Sequence, residues 1–306
     1  MRFCFILEQA AIATPLPLAL ADQLERWGHT VNMQSLESLS TTAEAFPLKH
    51  WDACLARISQ AQGAEVEIAL RLLQAAESLH IPTMNNSRAL RLLHDHDGIV
   101  AACASYGVPV VSRQCVLTYD DLVTLPDEWW PLLVTPIDKT GEGDSLWVEN
   151  RAMLVQAEME ATGSFVVRGP IARPLSLVRL TVAGQEVRAF RFNRWGVQVS
   201  NEMSVSETML YLAQSVGEAC GLDFFCLDVA VQEERLVLLN VQDFPDAAPI
   251  PHATMSIAEY ILHAVYHHRL IREQNEEPET GPLGRQEATL IPAVQERRYE
   301  SVAYLL

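Results

Sequence analysis

The first ninety-five residues alternate short apolar runs with amphipathic stretches, and this alternation restricts the fold more than any other feature. Residues 2–7 (RFCFIL) are an apolar run of strand length. The following PLPLALADQLERWGH has helical spacing, prolines at its start and Gly28 at its exit. VNMQSL and WDACLARI read as further strands, and from Glu65 to His80 the residues Ile68, Leu72 and Leu79 recur on one helical face. Strands that alternate with helices predict a parallel sheet covered by helices, ending near residue 95.

The pattern then changes. VPVVSRQCVLT, WPLLVTPI, DSLWVE, SFVVRGPI, LSLVRLTVAG and EVRAFRF are strand-like runs divided by turn residues, with one helical stretch at Arg151 to Ala161. They predict an antiparallel α+β arrangement. Ser204 with Glu207 reads as a capping box opening a helix, and FFCLDVAVQ and RLVLLNVQ read as a hairpin joined at Glu233 and Glu234. Ser256 with Glu259 reads as a second capping box, opening a helix through Arg272. A polar, Pro/Gly-bearing linker and a semi-apolar ending follow. The expected units are residues 1–95, 96–170 and 171–272, with linker and tail at 273–306.

Charge excludes several function classes. Among 306 residues, 39 are acidic and 22 basic, a balance of −17, and the only lysines are Lys49 and Lys139. Such a field repels nucleic acid and anionic lipid. The six cysteines form no CxxC pair and sit in apolar stretches, so they read as reduced core thiols. No apolar run reaches the roughly 18 residues of a membrane helix. A cytoplasmic protein is expected.

Five stretches, in order, resemble the ATP-grasp superfamily, and within it the RimK-like carboxylate-amine ligases. They are WDACLARI with ALRLLQAAESLHIPTMNNSRALRLLHDHDGI; ASYGVPVVSRQCVLTYDDL; WWPLLVTPIDKTGEGDSLWVENRAML; LSLVRLTVAGQEVRAFRF; and GLDFFCLDVAVQEERLVLLNVQDFPD. They span about residues 50–250. The resemblance implies an α/β and α+β chain: a parallel N-terminal pre-grasp domain, a small central α+β domain and a C-terminal α+β domain with a mainly antiparallel sheet. It also implies ATP and Mg²⁺ as cofactors, and a chemistry in which ATP phosphorylates a carboxylate and an amine displaces the phosphate. Positive charge and metal must then neutralise the moving phosphoryl group.

This chain departs from that pattern where the chemistry is carried. The resemblance places the two family lysines on Gly98 and Thr135, neither of them basic. Lys139 lies four residues beyond Thr135, in KTGEGD, and is the remaining lysine candidate for a phosphate. Arg168, on VVRGPI, stands beside the implied adenine position. Arg179, before V-x-G, is the candidate for a phosphate or substrate carboxylate and is assigned the catalytic position. Asp228 matches the first metal carboxylate, Asn240 stands for the second, and Gln242 stands for the metal-binding asparagine. Strand alternation puts 240 and 242 on the face of Asp228, with Asp243 pointing away. One carboxylate makes a weak site for Mg²⁺.

Two further clusters read as structural. His94-Asp95-His96-Asp97 places its histidines on different helix faces, and Glu259, His263 and His267 read as a solvated stripe. Three readings of function stay open. The leading one is an ATP-grasp protein with a decayed nucleotide and Mg²⁺ site and no required cofactor, partnering an active ligase or another enzyme subunit. The others are an active ligase adding glutamate or another amino acid to a small cofactor or peptide, and a protein that binds a small anion through Arg168 and Arg179. The family's habit of assembling also implies a homo-oligomer.

Overall fold

In the computed structural model, the residues described are 1–8, 11–12, 15–40, 47–58, 63–138, 141–142, 146–156, 163–173, 176–192, 198–232, 235–243 and 253–275. The strands fall into three sheets.

The first sheet joins β1 (Arg2–Leu7), β2 (Thr30–Ser35), β3 (Ala53–Arg57) and β4 (Thr83–Met84) in the order β2-β1-β3-β4, every pair parallel. Alternation along β1 sends Phe3, Phe5 and Leu7 to one face and Cys4 and Ile6 to the other. The first face packs on α1 (Pro15–Arg26), through Leu16, Leu20 and Leu24. The second packs on α3 (Ala64–Ser78), through Leu70 and Leu73, with Leu36 and Leu39 of α2 (Leu36–Ser40) joining from the side. Both faces are covered, as a parallel sheet requires.

Helices α4 (Ser87–Leu93) and α5 (His96–Ala104) lead out of this sheet. The second sheet is antiparallel: β5 (Arg113–Thr118), β9 (Ser164–Gly169), β6 (Leu132–Asp138) and β7 (Gly141–Glu142), with β8 (Leu146–Val148) also on β6. Leu132, Val134, Phe165 and Val167 point to a core closed by Leu122 of α6 (Tyr119–Val123) and Leu154 of α7 (Arg151–Gln156). The sequence reading carries this last helix to Ala161; residues 157–161 lie outside the described residues.

The third sheet has the order β12-β11-β10-β13-β14, from β10 (Ser176–Ala183), β11 (Glu186–Phe192), β12 (Gln198–Met203), β13 (Phe224–Val231) and β14 (Leu236–Asp243), all antiparallel. One face packs on α8 (Glu207–Cys220) and α5. α8 starts later than its capping box implies. Ser206, not Ser204, caps it by accepting from the Met209 N–H, which leaves Glu207 at the first helical position. The second capping box is also corrected: α9 (Ala253–Asn275) begins before Ser256 and runs past Arg272. Ser256 therefore sits inside the helix.

α9 has an unexpected partner. The sequence reading groups it with the third unit, yet Ile257, Ala258, Ile261 and Val265 enter the core of the first sheet beside Phe3, Phe5 and Leu20. Two polar contacts tie the first and third sheets more tightly. The Asn85 amide donates to the Phe224 carbonyl at 2.6 Å, and its oxygen accepts from the Asp223 and Phe224 N–H groups at 3.0 Å. Fully buried Asp243 accepts from the Ile58 N–H at 2.6 Å.

Five cysteines are buried, Cys115 is half-buried, and all six are free. Among the described residues no helix is long and apolar enough to cross a membrane.

Candidate functional site

The second and third sheets face each other across a cleft, and strand alternation decides what each contributes. From the second sheet come Leu133 and Thr135 of β6, Gln114 of β5 and Arg168 of β9, with Gln114 and Leu133 both opposite Arg168 in register. The third sheet supplies the face turned away from α8. In register across β10 and β13 this face carries Leu177 with Ala230, Arg179 with Asp228, and Thr181 with Cys226. On β14, Asn240 lies opposite Asp228 and Gln242 opposite Cys226.

One end of the cleft is apolar. Leu133, Val111 and Ile171 pack against Ala230, Val237 and Leu239, with Trp147 and Leu177 at the margin. The indole N–H of Trp147 donates to the Ile171 carbonyl at 3.1 Å. The bulge between Asp228 and Val229 takes Leu239 out of cross-strand register, and Leu239 joins this apolar end.

The other end is polar. Arg179 forks onto Asp228, its Nε 2.7 Å from Oδ1 and one Nη 3.1 Å from Oδ2. Such a planar two-point pairing is the strongest geometry available to these groups. Arg168, almost fully buried, donates through Nε to Gln114 Oε1 at 2.8 Å and through Nη1 to Thr135 Oγ1 at 3.2 Å. Burial works to raise the Asp228 carboxyl, but the charge and hydrogen bonds of Arg179 override it. With smaller contributions from Arg168 and an Asn240 hydrogen bond, they hold the group below the ordinary carboxylate range.

Every cleft candidate within the described residues therefore has a partner. Asp228, Asn240 and Gln242 share one face, as alternation along the hairpin requires. Gln242 accepts from the Cys226 thiol at 3.5 Å. Asp243 points away, into the contact with Ile58. Lys139 lies outside the described residues. Gly98, where the resemblance implies a lysine, lies in the first turn of α5: the Asp95 carboxylate accepts its N–H at 3.0 Å to cap the helix. A Cβ there would come 2.6 Å from Asp95 Oδ2 and 2.8 Å from Leu92 Cδ1.

Beside the polar end lies a pocket of about 210 Å³, lined among others by His94, His96, Gln114 and Asn240. His96 is tied to the Val111 carbonyl at 3.1 Å. Desolvation lowers the pKa of His94, opposed in part by the charge of Asp243 and a hydrogen bond to the Ile58 backbone. Among the described residues, no three His, Cys, Asp or Glu side chains are grouped to hold a cation, so neither the His94–Asp97 run nor the α9 stripe forms such a group.

Sequence reasoning missed Gln114 and Asn85. Each matters through a cross-strand or inter-sheet partner more than fifty residues away, and no local pattern in the chain signals such a pairing.

No family model matches the sequence, and no curated protein matches it. Solved structures do. The RimK-domain ATP-grasp protein of Sphaerobacter thermophilus is 18% identical, with a TM-score of 0.57 over 87% of this chain and all of that one. The D-alanine–D-alanine ligase of Bacillus anthracis, solved with ATP, is 15% identical with a TM-score of 0.57, over 90% of this chain and 99% of that one. The ATP-grasp ligase PsnB, solved with a precursor peptide and AMPPNP, is 11% identical with a TM-score of 0.55, over 86% and 98%. Three sheets in this order, matched along nearly the whole length of each neighbour, give the chain the ATP-grasp fold.

Proposed function

We propose that this ATP-grasp-fold chain is a non-catalytic relative of the RimK-like ligases, its nucleotide and Mg²⁺ site decayed, and that it serves as a partner of an active ligase or another enzyme subunit. The observation that carries the reading is the Arg179–Asp228 fork. The residue best placed to hold phosphate and the one clear metal carboxylate are spent on each other. Mg²⁺ takes one or two carboxylates together with phosphate oxygens. Here it would have to displace a guanidinium from the single carboxylate of the set, so the donors present do not fit the ion.

Magnitudes point the same way. A hydrogen bond to a charged group contributes about 1.5–3 kcal/mol, so two missing lysine contacts weaken a triphosphate by roughly 3–6 kcal/mol, about a hundredfold to ten-thousandfold. Arg168 does not make good the loss, because its guanidinium already donates to Gln114 and Thr135. The same occupancy weighs against a small anion held by Arg168 and Arg179.

Thermal unfolding with ATP and ADP, with and without Mg²⁺, tests the proposal. The expected result is no shift at sub-millimolar nucleotide. A clear Mg²⁺-dependent stabilisation would sink it and favour an active ligase.

A further inference from the structure

The helix-covered side of the third sheet carries a second cavity, of about 360 Å³, which shares no residue with the cleft. Its walls are the first turns of α8, residues 107–109 of the link between α5 and β5, and the opening residues of β14. The link is pinned to β14: the Leu238 N–H donates to the Pro109 carbonyl at 2.8 Å, and the Val111 N–H donates to the Leu238 carbonyl at 2.9 Å. Ser206 caps α8 on the other side. Backbone hydrogen bonds thus hold the frame, and the volume falls at the lower end of the roughly 300–1,000 Å³ of small-molecule sites.

The lining divides into an apolar floor and a charged border. Val108 and Leu212 are buried and Leu236 is half-buried, whereas Tyr211 stands 64% exposed beside them. An exposed aromatic side chain next to an apolar floor offers a flat partner for another ring. Two exposed charges also border the cavity, Glu207 and Arg235. Arg235 donates through Nε to Gln232 Oε1 at 2.9 Å, which orients its guanidinium, and among the described residues neither Arg235 nor Glu207 is in an ion pair. An arginine with no carboxylate partner stands out in a chain of 39 acidic and 22 basic residues.

Opposite charges on one lining select among ligands. A simple carboxylate gains from Arg235 and loses at Glu207, and a simple amine does the reverse. A molecule that carries both an ammonium and a carboxylate gains from each. Its remaining part must be apolar to match Val108, Leu212 and Leu236, and a ring suits Tyr211.

We propose that this cavity binds a free amino acid with an aromatic side chain, its carboxylate on Arg235, its ammonium on Glu207 and its ring on the apolar floor beside Tyr211. The two exposed ionic contacts contribute little each, so the affinity of a ligand with about a dozen non-hydrogen atoms lies in the millimolar range. The site is independent of whether the cleft takes nucleotide, because it lies on the opposite face of the third sheet.

NMR titration of the full chain at about pH 6, where an α-amino group is protonated, tests it with three probes. They are L-phenylalanine, phenylalaninamide, which lacks the carboxylate, and 3-phenylpropionate, which lacks the ammonium. The expected result is binding of L-phenylalanine, with each of the other two about fivefold weaker. Arg235→Gln should erase the preference over phenylalaninamide, and Glu207→Gln the preference over 3-phenylpropionate. Both side chains are exposed, so neither substitution disturbs a core. No binding of L-phenylalanine up to about 10 mM, equal affinity for the three probes, or binding that both substitutions leave unchanged overturns the proposal. So does a wild-type dimer in light scattering that Tyr211→Asp dissociates, because a second copy would then occupy the cavity.

Discussion

At one end of the cleft Leu133, Val237 and Leu239 exclude water by packing, whereas at the other Arg179, Asp228 and Asn240 occupy one another's hydrogen-bonding capacity and Arg168 is held by Gln114 and Thr135. The apolar end resists unfolding through area and volume, and carries no titrating group in its packing. The polar end depends on completeness: a paired buried charge is tolerated, and the same charge without its partner is strongly destabilising. A site that binds ligand needs unspent groups. In this cleft Arg168, Arg179 and Asp228 already have partners within the fold, which supports the proposal of a site that takes no nucleotide.

Substitutions at the two ends separate these mechanisms. The largest effect is expected at the apolar end, where Leu239→Ala removes a buried side chain from between two sheets and costs about 3 kcal/mol in denaturant unfolding. At the polar end, Arg179→Ala leaves Asp228 without its fork. Because both side chains are 24% exposed, the expected cost is reduced to about 2 kcal/mol. The double variant Arg179→Met with Asp228→Leu should lie closer to wild type than Arg179→Ala does. A double variant as unstable as the sum of its singles would show that the two residues act separately.

The smallest effect is a response to acid. The folded Asp228 carboxyl lies below its unfolded value, so the stability it contributes is fully present above about pH 4 and is lost as pH falls through the folded value. Unfolding curves between pH 5 and pH 2 should therefore converge for wild type and Asp228→Asn. Parallel curves would remove Asp228 from the account.

Much of the fold is legible in the sequence because short-range patterns specify it. The hairpin of β13 and β14 follows from period-two alternation, which also puts Asp228, Asn240 and Gln242 on one face. Helix starts are less legible, since Ser204 and Ser206 offer the same chemistry two residues apart and only the Met209 N–H chooses between them. The candidate residues of the cleft are legible one at a time, but their pairing is not. Arg179 meets Asp228 because β10 lies beside β13, a neighbour forty-nine positions away, and two residues read as separate ligand contacts become each other's partners. The seat of α9 is hidden for the same reason: an apolar helix face does not say which sheet it will cover.

That seat has a consequence for how the protein is made. The first strand and the last helix share one core, with Phe3 and Phe5 packed in the same cluster as Ile257 and Ile261. Helix α1 can cover part of that face early in translation, but the share contributed by α9 is added only after residue 265 has left the ribosome. The first core is thus opened by the earliest strand and completed by the last described helix.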